Sequence, residues 1–524
     1  MLDRLAYLLR AILIFIVVSN VAHAQSTALL HLVFVIDGLR PDSITPSDTP
    51  NLHRLRTEGV TFENSHAVFP TVTRVNSTSL ATGMQPARHG IMGNRVYIPA
   101  VDPNAAFNND NFRALLKLDE AQPGRIVLVP SIAELAAEVG QKYVAVSSGS
   151  TGSALLMAPR APRGSGTVIN GDFHGGAMVA WPEAVSERVL ERFGPQPKKG
   201  GAKARYDAVV DWTLQVLREY VLPELKPRVA YVWVTEPDHI QHALGAGAPD
   251  SLASIRNNDR NIGLVLDALG KLELGDRTNI IVLSDHGFGQ TVYGVNVGQE
   301  LANGPFKAED VIIASSGQAV ALHVKNRDAA TIRAVAEWLQ KQAWTGVVFT
   351  ARGKGATHEG SVPGTFALEY VHLGGNERSP DIVFTFPWSS KPNRYGVPGT
   401  DYVMITAGPT GPMDTTAGNH GSMSPWTVRN TMVAWGPDFK RGARLRTPSS
   451  NADVTPTILH LLGHPKAGAL DGRVLLEALA NGPDQEQVAT ETRTLRVANG
   501  VYRAALQVTE TAGRRYLDKS WREQ

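Results

Sequence analysis

Short, almost unbroken apolar runs recur along the chain: LVFVI at 32–36, VAV at 144–146, VAYVWV at 229–234, IIVL at 280–283 and MVAW at 432–435. A run without a polar face makes a strand that must be covered on both sides, the condition met inside parallel sheets sandwiched by helices. The intervals supply amphipathic helical patterns at 131–139, 208–220 and 252–269. This alternation predicts an α/β fold, a doubly wound and mainly parallel sheet flanked by helices.

The interval 297–416 has a different texture. It carries its own strand and helix patterns, AVALHV and then DAATIRAVAEWLQKQ, among many Gly and Pro loops. It is predicted to be an inserted α+β cap, dividing the core into a first part, 25–296, and a second, 417–524. Within the second part, 453–462 reads as a helix with Pro456 in its first turn. The terminal ALQVTETAGRRYLDKSW reads as a hairpin turning at Ala512-Gly513.

The first 24 residues form a separate unit. Arg4 and Arg10 give a positive flank, 11–18 is apolar, and Ala22-His23-Ala24 is a small-x-small cleavage pattern. These features predict a signal peptide over 1–24, since a bilayer span needs ~20 apolar residues. The expectation is an exported protein, periplasmic or secreted, with no membrane span after cleavage.

Composition narrows the chemistry. Lys plus Arg number 51 against 49 Asp plus Glu, so no overall field draws nucleic acid to the surface. The 524 residues include no Cys, which excludes disulfides, thiolate zinc, iron–sulfur clusters and a cysteine nucleophile. Any metal must be held by carboxylate, imidazole or hydroxyl.

Three predicted core strands run into an Asp: VID at Asp37, VTEPD at Asp238 and VLSD at Asp285. In open parallel sheets ligands bind outside the carboxyl ends of the strands. Three carboxylates gathered on that edge repel one another unless cations neutralise them. Histidines accompany them. His242 lies four residues after Asp238, on the same face of a helical turn; His286 follows Asp285 directly; His420 lies in a glycine-flanked AGNHGS loop. Carboxylates and imidazoles without thiolate suit catalytic zinc, with manganese or iron as alternatives. The set holds enough ligands for two ions, a standard device for phosphoryl displacement. Among several hydroxyls at 71–82, Thr73 precedes a segment able to continue as a helix, where the dipole and free N–H groups favour an anion.

In order, VIDG (Asp37), PTVT (Thr73), ATG, HGIMGN (Asn94), EPDHIQH (Asp238, His242), SDHG (Asp285, His286) and NHG (His420) resemble the nucleotide pyrophosphatase/phosphodiesterase branch of the alkaline phosphatase superfamily. The resemblance implies an alkaline-phosphatase-like fold and a small-molecule phosphoester substrate. It further implies two zinc ions, one held by Asp238, His242 and His420, the other by Asp37, Asp285, His286 and the nucleophile Thr73. It assigns Asn94 to a phosphoryl oxygen and implies a phospho-threonine intermediate. One position departs: Arg74 stands where the family carries an aromatic residue, and is expected to pair with a second anionic group on the substrate. Phosphonate hydrolysis or phosphomonoester hydrolysis on the same fold are the alternatives, and a non-catalytic binding protein is the reading from another class. A sulfatase is disfavoured, because its nucleophile derives from Cys or Ser.

Overall fold

The computed structural model describes residues 26–174 and 176–523. The signal peptide expected over 1–24 lies outside them. Among the described residues, no helix is long and apolar enough to cross a membrane.

The apolar runs build the centre of a nine-stranded sheet. Its order is Ala443–Leu445, Val60–Phe62, Met432–Trp435, Thr278–Leu283, Leu30–Ile36, Val229–Val234, Tyr143–Ser147, Thr167–His174 and Ala177–Trp181. The strands from Thr278–Leu283 through Thr167–His174 are parallel. Met432–Trp435 runs antiparallel to its neighbour, as does Ala177–Trp181 at the far edge. The result is the expected α/β architecture, mainly parallel at its core.

Why these segments carry no polar face is visible in how alternate residues divide. Leu32, Phe34 and Ile36 pack with Val232, Val282 and the helix Pro249–Lys271 on one side. Val33 and Val35 pack with Tyr231, Trp233, Leu283 and the helices Thr73–Thr82 and Val454–Leu461 on the other. Each face is dry, so period-two alternation is lost and only the continuous run remains.

The later part of the chain builds two further five-stranded sheets. One pairs Gly289–Val295 with Pro398–Met404 and, in part, with Gly418–Asn419. The other contains the antiparallel strands Val311–Ser316, Ala319–Val324 and Ile382–Thr385, accompanied by the helix Ala329–Lys341. The C-terminal hairpin turns at Ala512 and Gly513, both at positive φ, and gains a third strand, Thr490–Asn499. Its apolar face, including Tyr502, Leu506 and Val508, joins the core of the second of these sheets rather than that of the main one.

Candidate active site

The register of the central strands brings the carboxylates together. Ile36 pairs with Val234 and Val35 with Leu283, so the chain ends these strands at one level. Asp37 follows Ile36 directly, and Asp285 lies two residues past Leu283. Asp238 opens the helix Asp238–Leu244, its N–H donating to the Asp37 carbonyl at 3.1 Å. Gly287 turns the chain away after His286. A Cβ there would lie 2.1 Å from the Trp426 carbonyl oxygen, so the close approach of the two backbones requires glycine.

Each carboxylate is aimed by the protein. Trp233 Nε1 donates to Asp37 Oδ2 at 2.9 Å, and the Gly38 N–H donates to Asp285 Oδ1 at 3.1 Å. The other oxygens, Asp37 Oδ1 and Asp285 Oδ2, are buried without a hydrogen-bonding partner, as are Asp238 Oδ1 and His286 Nε2. His286 Nε2 lies 2.9 Å from Asp285 Oδ2 and 3.5 Å from Asp37 Oδ1. Asp238 sits between two imidazoles, with His242 Nε2 at 3.4 Å from Oδ2 and His420 Nε2 at 3.4 Å from Oδ1.

The histidines are oriented from behind. The Nδ1 atoms of His242, His286 and His420 meet the carbonyls of Gly418, Gly287 and Thr71 at 3.1, 2.9 and 2.9 Å. A carbonyl can only accept, so Nδ1 carries a proton and Nε2 is the ring atom turned toward the space the carboxylates enclose. This is how ligating imidazoles are oriented in metal centres.

The electrostatics are those of too many negative charges in a dry place. Burial, then the charges of Asp285 and Asp238, hold the Asp37 carboxyl well above its usual range. Burial also opposes the charge on Asp238, but His242, His420 and His286 outweigh it and hold that group below the carboxylate range. His242 and His286 are raised, because Asp238 and Asp285 outweigh the burial that would lower them. Burial and the neighbouring His286 push His420 well down.

Two groups able to hold an ion emerge among the described residues, Asp37 with Asp285 and His286, and Asp238 with His286 and His420. Orphaned oxygens and nitrogens converging from carboxylate and imidazole are what divalent cations satisfy, so the residues present fit divalent metal, with His286 common to both groups. His242 adjoins the second group through Asp238.

Thr73 is the first residue of its helix and is buried. Two residues earlier, Thr71 holds His420 by its carbonyl and donates its hydroxyl to the Ser422 carbonyl at 2.8 Å. The nucleophile candidate is thus tied to the loop of the last histidine. Asn94 Oδ1 accepts the Arg74 N–H at 3.2 Å, which leaves its Nδ2 hydrogens as the side chain's donors. Arg74 does not stand free: its guanidinium meets Asn108, Asn109 and Asp110. His239 stacks on Tyr206, with ring centroids 3.6 Å apart.

Several contributors escaped the sequence. Trp233 offers the one indole N–H in an otherwise apolar run, a signal that was there to be found. The carbonyls of Thr71, Gly287 and Gly418 carry none. Asn109 and Ser316, which flank Asn94, were equally silent.

Fold and site together define an α/β protein of the alkaline-phosphatase-like class. The chain belongs to the type I phosphodiesterase/nucleotide pyrophosphatase family, whose model matches residues 31–422. It is 26% identical over 259 residues to a venom phosphodiesterase of Naja atra, covering 49% of this chain and 26% of that protein. It is 27% identical over 263 residues to ectonucleotide pyrophosphatase/phosphodiesterase family member 1 of Homo sapiens, covering 49% and 23%. The chain thus matches about a quarter of the length of these curated relatives. Murine ectonucleotide pyrophosphatase/phosphodiesterase 5, solved as an inactive variant in complex with AMP, superposes with a TM-score of 0.59 at 18% identity, covering 86% of this chain and 100% of that one. Its human counterpart gives 0.58 at 18% identity.

Proposed function

We propose that the protein is a two-zinc phosphodiesterase that works through Thr73. One observation carries this reading. Unpartnered, buried carboxylate and imidazole atoms converge at the carboxyl edge of the sheet, beside a helix that begins at Thr73 and an Asn94 amide with free donors. One zinc would be held by Asp238, His242 and His420, the other by Asp37, Asp285, His286 and Thr73. Bound there, they would supply Lewis-acid stabilisation of the substrate's charge and lower the pKa of the Thr73 hydroxyl.

Thr73 Oγ1 attacks phosphorus in line and expels the leaving alcohol, forming a phospho-threonine. Water then attacks that phosphorus on the reverse path and restores the hydroxyl. Asn94 Nδ2 and the N–H groups at the helix start donate to non-bridging oxygens, whose charge grows in the transition state. We read residues 1–24 as a signal peptide, which places the mature enzyme outside the cytoplasm.

Purified protein is assayed on an aryl phosphodiester, phosphomonoester, phosphonate and sulfate, with zinc and with chelator. The reading expects the diester to be turned over fastest and chelation to abolish turnover. Equal rates in chelator would overturn it.

A further inference from the structure

Arg74 follows the proposed nucleophile directly and its side chain is only 14% exposed. The guanidinium fans onto one short segment. Nε donates to Asn109 Oδ1 and NH2 to Asn108 Oδ1, both at 3.4 Å, while NH1 lies 3.3 Å from Asp110 Oδ1. That segment is itself anchored, because the Asp110 carbonyl accepts the Gly152 N–H at 2.8 Å.

Asn109 is fully buried and spends its remaining groups on the segment carrying Asn94. Its Nδ2 donates to the Gly93 carbonyl at 3.0 Å and its N–H to the Asn94 carbonyl at 3.4 Å. Asn94 Oδ1 then accepts the main-chain N–H of Arg74. The hydrogen bonds close into a ring running from the Arg74 side chain through Asn109 and Asn94 to the Arg74 backbone.

We propose that Arg74 is a positioning residue, acting through Asn109 to hold the Asn94 amide against a phosphoryl oxygen instead of binding the substrate itself. The proposal rests on the reading of Asn94 as a phosphoryl donor. A donor useful in a transition state must be held to about 0.5 Å. A planar fork reaching three acceptors meets that need, and the single ammonium of lysine cannot. A substrate-binding cation has the opposite signature, since lysine would retain much of its attraction for an anion.

The test uses the zinc-loaded protein with an aryl phosphodiester and compares wild type, Arg74→Ala, Arg74→Lys, Arg74→Gln, Asn109→Ser, Asn94→Ala and the Arg74→Ala/Asn94→Ala double variant. Metal content and thermal midpoint identify the folded variants, and the Lys and Gln variants stand in if Arg74→Ala does not fold. Loss of Arg74 or Asn109 is expected to lower kcat about tenfold with KM within about twofold. Lysine should not rescue, and Arg74→Ala should add less than about twofold once Asn94 is gone. Calorimetric binding of inorganic phosphate should weaken in Arg74→Ala and weaken no further in the double variant. Rescue by lysine, a rise in KM at constant kcat, or a fully multiplicative double variant would overturn the brace alone. An Asn94→Ala variant with unchanged kcat would remove the donor reading, and the brace with it.

Discussion

The imidazoles of His286 and His420 lie face to face, their centroids 3.5 Å apart and their planes inclined by 13°. His286 lies within reach of both candidate groups, beside Asp37 and Asp285 and beside Asp238, whereas His420 belongs to the Asp238 group alone. The shared ring and its stack join the two candidate metal groups into one unit. Two protonated rings could not share this contact at low cost, which agrees with His420 being driven toward its neutral form by burial and by His286.

Metal removal should have a structural cost as well as a catalytic one. Wild-type protein is expected to carry about two equivalents of zinc. Asp238→Asn should reduce this to about one, because His242 and His420 would lose the carboxylate between them. Chelation should lower the thermal midpoint, since Asp37, Asp238 and Asp285 would keep their crowding without a counter-charge. Plasma emission spectrometry and scanning calorimetry read both effects, and an unchanged midpoint on loss of zinc would contradict the account.

Thr73→Ala is expected to reduce turnover to the background rate while leaving zinc content and fold intact. In wild type, acid quenching during turnover should trap one phosphoryl group on the peptide containing Thr73, detectable by mass spectrometry. A phosphoryl group found on another residue would reassign the nucleophile.

Gly93→Ala probes the seat of Asn94 through Ser316 instead of through Arg74. A Cβ at Gly93 would lie 2.3 Å from Ser316 Oγ, the atom that accepts the Asn94 N–H at 3.0 Å. The serine must rotate away and release Asn94. A kcat loss of about 10²-fold is expected, comparable to losing the donor itself. Ser316→Ala alone should cost less, and steady-state kinetics with intact metal content distinguishes the two.

Acid should destabilise the fold away from the candidate metal groups. Burial lowers His31, His89 and His323 from 6.5 to about 3, and His372 to about 4. These groups stay neutral in the folded chain while the unfolded chain takes up protons below pH 6.5. Stability is therefore fully present above that pH and falls as pH drops toward the folded values, by up to about 1.4 kcal/mol per pH unit for each histidine. Thermal midpoints at pH 7.5, 6 and 5 should decline, and His323→Gln should flatten the decline. A flat wild-type profile would refute it.

The sheet was legible because strands buried on both faces leave an unmistakable run, and the Asp residues because they sit where those runs stop. Strand order was not, since Val60–Phe62 and Ala443–Leu445 are strands of only three residues. The strand Thr490–Asn499 escaped because most of its residues, TETRTLRVAN, are exposed and polar. Arg74 shows a different limit. Its sequence position suggested a free cation beside the substrate, while its partners Asn108, Asn109 and Asp110 lie 34–36 residues away and only the folded chain brings them to it.

The three histidines proposed as ligands are steadied by the carbonyls of Thr71, Gly287 and Gly418, groups that every residue type possesses. At Gly287 and Gly418 the oxygen keeps its place only while the residue stays glycine, because an added Cβ would lie 2.1 Å from the Trp426 carbonyl oxygen or 2.5 Å from the Phe288 ring. The orientation of these imidazoles is thereby written into the path of the main chain, whereas the network around Asn94 is written into side chains.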